Sequence, residues 1–95
     1  MKILAIEKEI EGIQEKQFEP YLKDEAKRVW ELVQSGVIRE IYFTKDDNCA
    51  VIILECHSEA EAGSILNTLP LVKEKLICFN IKPLIPYDGF ARLFK

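Results

Sequence analysis

The chain has 95 residues, 48% of them hydrophobic and 31% charged, with a net charge of -3. That is apolar material for one packed core, so residues 1–95 are expected to form a single domain. No run of Lys or Arg exceeds two residues, which argues against nucleic acid as a partner, and no apolar run approaches the ~18 residues of a membrane span.

The start, Met1-Lys2-Ile3-Leu4-Ala5-Ile6-Glu7, is too short in apolar residues for a secretory signal, so a cytoplasmic location is expected. Residues 2–7 read as a short strand, with Ile3 to Ile6 apolar on both faces. Glu7, Glu9, Glu11, Gly12 and Glu15 follow as a polar connection. Nothing fixes those carboxylates relative to one another, so a solvated loop is expected there rather than a metal site.

A helix is predicted from Phe18 or Glu19 to Ser35, with Pro20 tolerated in its first turn and Gly36 as its stop. Phe18, Leu22, Ala26, Val29 and Val33 make a narrow apolar stripe, widened by Tyr21, Leu32 and Trp30. Glu25 is the charged residue that breaks this partition, projecting between Leu22, Val29, Leu32 and Tyr21. A second strand, Val37 to Thr44, alternates Val37, Arg39, Ile41 and Phe43 against Ile38, Glu40, Tyr42 and Thr44. Lys45-Asp46-Asp47-Asn48 has the residue types of a hairpin turn.

The third strand, Cys49 to Cys56, is apolar on both faces up to Leu54. Ser58-x-x-Glu61 is a capping box opening a helix from Ser58 to Leu69, with Ala62, Ile65, Leu66 and Leu69 as its core stripe and Pro70 as its end. Leu71 to Leu76 reads as a loop or short turn, and Ile77 to Leu84 as the fourth strand. Residues 85–95 form an apolar tail with Tyr87, Phe90, Leu93 and Phe94.

The order β-α-β-β-α-β is the ferredoxin-like plan, an α+β fold with a four-stranded antiparallel sheet whose first and third strands are central. The two strands that are apolar on both faces occupy those central places, and two helices can cover only one face. Leaving the other wet forfeits several kcal/mol at ~25 cal/mol per Å². A homodimer, or a higher homo-oligomer built from it, is therefore expected, with the tail around Phe90 and Phe94 as the other available cover.

From Glu25 to Leu71 the chain resembles the muconolactone isomerases, which are small dimeric α/β-barrel enzymes. The residues that carry the likeness are Glu25, Gly36, Arg39, Ser58 and Leu69-Pro70-Leu71, laid on that family without gaps. Leu22, Glu40 and Tyr42 stand where that family has lysine, histidine and tryptophan, and the segment after Leu71 is longer. The resemblance implies a dimeric α/β barrel with a pocket between the sheet and the first helix. It also implies cofactor-free proton transfer on a small organic acid or lactone. In that setting Glu25 is the candidate base, Tyr42 a hydrogen-bond donor to a substrate oxygen, and Arg39 a bidentate partner for a substrate carboxylate. The alternatives place Glu25 at the helix edge, paired with Arg39 or Arg28, and leave Arg39 and Tyr42 as edge-strand surface. The protein is then a non-catalytic module that binds a small apolar ligand or assembles with a partner.

No cofactor is expected. Cys49, Cys56 and Cys78 form no CxxC pair and read as reduced, half-buried thiols, and His57 reads as a surface residue. Trp30 and Tyr21 read as packing residues, and neither a glycine-rich phosphate loop nor a Ser-His-Asp order is present.

Overall fold

Residues 1–95 are described by a computed structural model. Strand β1 spans Lys2–Glu9. Its ladder with the last strand, β4 (Ile77–Leu84), continues as far as Glu9 opposite Ile77. Lys8 and Glu9 therefore belong to the sheet, and the polar connection begins after them. Helix α1 runs from Leu22 to Gln34, preceded by a 3-10 turn, Glu19–Tyr21, in which Pro20 stands near the start. Gly36 ends the helix at a φ of 84°, a left-handed conformation that glycine adopts without steric cost.

β2 (Ile38–Phe43) and β3 (Ala50–Glu55) follow, joined by a turn in which Asn48 takes a φ of 55°. Helix α2 (Glu59–Leu66) is capped by Ser58, whose side-chain oxygen accepts from the Glu61 N–H. The Glu61 carboxylate turns back to the His57 N–H at 3.5 Å, one residue earlier than the capping box predicts. Pro70 is more than a stop. It opens a further short helix, α3 (Pro70–Lys73), where a loop is expected from sequence, because a residue without an N–H costs nothing in a first helical turn.

The sheet order is β2-β3-β1-β4, with antiparallel pairing at each step, so the strands apolar on both faces are central and the alternating ones are edges. β4 carries Pro83, which an edge strand tolerates. Ile3, Ala5, Ile38, Ile52 and Leu54 face the helices and bury against Ala62, Leu66 and Leu69 in one core. A smaller cluster of Leu71, Leu76 and Ile77 is closed by Phe18 and Tyr21.

The opposite face carries no helix. Leu4, Ile6, Val51 and Ile53 lie at its centre and remain half-exposed. The tail does not cover them: Ile85, Tyr87, Phe90, Leu93 and Phe94 are all exposed, and Tyr87 packs edge-on against Phe90 at 4.8 Å between ring centres. No helix is long and apolar enough to cross a membrane.

Candidate functional site

A cleft of about 610 Å³ opens between α1 and the helix-facing side of the sheet. The apolar stripe of α1 builds one wall, but it is not sunk into the core. Leu32 is the buried residue of that helix, whereas Leu22, Ala26, Trp30 and Val33 stand exposed along the cleft. Trp30 is 63% exposed and Phe43, across the opening on β2, is 68% exposed. Ile52 and Ala50 on β3, and Ile77 and Phe79 on β4, form the floor.

Glu25 reaches this cleft. Helical spacing places it inside the apolar arc, and its Oε1 accepts a hydrogen bond from the Leu71 N–H at 2.9 Å. That N–H lies in the first turn of α3 and has no partner within so short a helix. Burial pushes the Glu25 carboxyl above its usual value of 4.5, the Leu71 N–H draws it back, and the charge of Glu7 pushes it up further. Neither arginine pairs with it. Arg28 donates to the Thr68 hydroxyl at 2.8 Å and to Glu31 at 3.4 Å, and Arg39 donates to the Gly36 carbonyl at 2.6 Å.

Tyr42 borders the cleft, but its strand position opposite Val51 puts its side chain on the face away from the helices. There its hydroxyl donates to Glu40 at 2.7 Å, and that bond raises the phenol above its ordinary value. Arg39 is not among the cleft residues. The structure thus brings Glu25 into the cleft, sets Tyr42 at its border with the hydroxyl bonded to Glu40, and leaves Arg39 outside the lining.

The reason for Arg39 is a β-bulge. The register of β2 against β3 shifts between Ile38 and Glu40, so strict alternation fails at that point and Ile38 and Ile41 both face the helices. Arg39 is the extra residue.

Among solved structures, the chain is similar over nearly its whole length to 5-chloro-2-hydroxyhydroquinone dehydrochlorinase from Burkholderia phenoliruptrix AC1100, in complex with 2,5-dihydroxybenzoquinone. The superposition has a TM-score of 0.66 at 18% identity and covers 94% of this chain and 98% of that one. The fold is ferredoxin-like α+β. No protein-family model matches the sequence, and no curated protein matches it either.

The cleft holds a second carboxyl group, from the last residue of the strand predicted over 2–7, which local composition groups with the polar connection that follows. Glu7 lines the same space, and its Oε1 accepts from the Ala50 N–H at 2.9 Å. A signal was present in the sequence. Glu7 shares the strand parity of Ile3 and Ala5, both fully buried on the helix side, and two further residues of strand carry it onto that face. Desolvation, followed by nearby carboxylates, raises the Cys49 and Cys56 thiols, which leaves them protonated and poor nucleophiles.

Proposed function

We propose that this chain binds a small organic molecule in the α1–sheet cleft and moves a proton on it without a cofactor, with Glu25 as the proton carrier. The observation that supports this is a carboxyl group raised by burial, standing in a cleft whose 16 lining residues include 14 hydrophobic ones. A base poised closer to neutral pH transfers a proton more effectively than an ordinary carboxylate. Glu25 takes the proton from the carbon beside a ketone or lactone carbonyl, leaving an enolate. It then returns the proton to the same carbon or to the conjugated one. The fold neighbour was solved with a ring-sized quinone bound, and a cleft of about 610 Å³ suits a ligand of that size.

The test is isomerisation of α-angelica lactone in D2O, followed by NMR. Deuterium entry and double-bond migration faster than in buffer are expected. A second reading, a binding module without turnover, is favoured by the bond from the Leu71 N–H to Glu25, which gives that carboxylate a structural task at the start of α3. Ligand binding with exchange no faster than in buffer, across a set of uncharged lactones and cyclic ketones, would decide for it.

The half-exposed Leu4, Ile6, Val51 and Ile53 support a second proposal, that the helix-free face of the sheet packs on a second copy of the chain. Sedimentation velocity at micromolar concentration is expected to give a dimer, and Ile53→Lys is expected to give a monomer. A monomeric wild type removes the proposal.

A further inference from the structure

The sequence resemblance points to an organic acid as substrate, held by Arg39, yet Arg39 is outside the cleft and tied to Gly36. The charged residues that do line it are Glu7 and Glu25, and no Lys, Arg or His joins them. Glu7 stands where three cavities meet. The two beyond the cleft are lined by Glu9, Glu15, Glu19 and Asp47, against a single cation, Lys16.

From this distribution we infer that the cleft takes apolar, ring-sized carbonyl compounds that carry no negative charge and rejects organic anions, with Glu7 as the residue that sets the selection against anions. The inference rests on the cleft being the ligand site, as proposed above. Two physical terms act together. Apolar walls impose a desolvation cost on any ion. An anion also meets carboxylates within and beyond the cleft, and the low dielectric of its walls strengthens that repulsion. A cation would meet attraction from the same carboxylates, so the selection acts against negative charge. A neutral carbonyl compound meets no such repulsion and buries its ring against Val29, Ile52 and Phe79.

The experiment uses three probes of one shape: 2-naphthamide, 2-naphthoate and 2-naphthylmethylammonium. Each is titrated calorimetrically into wild type and Glu7→Gln at neutral pH. Binding is placed by the indole N–H signal of Trp30, the chain's single tryptophan, which stands on the cleft wall. In wild type the amide is expected to bind about tenfold or more tighter than the carboxylate. Glu7→Gln keeps an oxygen to accept from the Ala50 N–H and is expected to cut that ratio to about threefold or less. Naphthoate binding as tightly as naphthamide to wild type overturns the inference and leaves the cleft reading standing, and this result needs no variant to fold. An unchanged ratio in a folded Glu7→Gln removes Glu7 from the role. Weaker binding of the ammonium than of the carboxylate also overturns the inference, since carboxylates that repel an anion attract a cation. If no probe moves the Trp30 signal, the cleft reading falls with the inference.

Discussion

Replacing Glu25 by Gln is expected to lower lactone isomerisation by about 10²–10⁴-fold, the usual contribution of a positioned acid–base group, while the fold survives. The fold survives because glutamine keeps an oxygen that can accept from the Leu71 N–H, which Glu25 now holds at 2.9 Å. Glu25→Ala loses both functions and is expected to cost a further ~1 kcal/mol, the worth of a helix cap. The pair of variants separates chemistry from architecture. If Gln and Ala lose turnover equally but only Ala loses stability, the carboxyl is the proton carrier and the cap is a second task. If Gln retains turnover, Glu25 is structural.

Stability against pH gives an independent readout. Burial raises the folded-state pKa of Glu25 above its ordinary value of 4.5, so the folded chain holds that proton more tightly than the unfolded chain does. The resulting stabilisation is complete below 4.5 and is lost as pH rises through the folded value. Wild type is therefore expected to lose stability relative to Glu25→Gln over that window, measured as the difference in urea midpoint at matched pH. A difference that stays flat through the window is incompatible with a raised Glu25.

The parts of this structure that were legible in the sequence are those governed by period. Alternation and its absence separated edge from central strands, and the sheet order β2-β3-β1-β4 follows from that contrast. Glu25 was legible for the same reason, as a charge at helical spacing inside an apolar arc. The bulge at Arg39 was not, because one inserted residue leaves no compositional mark while shifting the alternation around it. Glu7 was hidden by its neighbours. Glu9, Glu11 and Glu15 make the local composition read as solvated chain, whereas pairing with Phe79 holds Glu7 in the sheet. The openness of the cleft was also out of reach. An apolar stripe on α1 reads equally well as buried core, and only the packing shows Trp30 and Leu22 standing in solvent beside an unfilled space.

Leu54→Ala is expected to be the most damaging single truncation, costing ~3–5 kcal/mol, a large share of the ~5–15 kcal/mol that stabilises a domain of this size. Leu54 is 0% exposed on β3 and sits between Ile3 of β1 and Ile38 of β2, with Leu66 and Leu69 in the same cluster. Hydrogen-bonded strands on both sides prevent the backbone from closing around the missing side chain, so most of the cavity persists. Its neighbour Ile53 makes the contrast, because it is half-exposed on the helix-free face. If that face is a subunit contact, Ile53→Ala lowers stability by an amount that depends on protein concentration, whereas the loss from Leu54→Ala has no such dependence. Urea unfolding at two protein concentrations measures both, and a fall of more than ~1 M in midpoint is expected for Leu54→Ala. A loss below ~1 kcal/mol would mean that the core can draw on the walls of the adjoining cleft to refill itself. The cleft would then be loose packing, without the rigid walls that a ligand site needs.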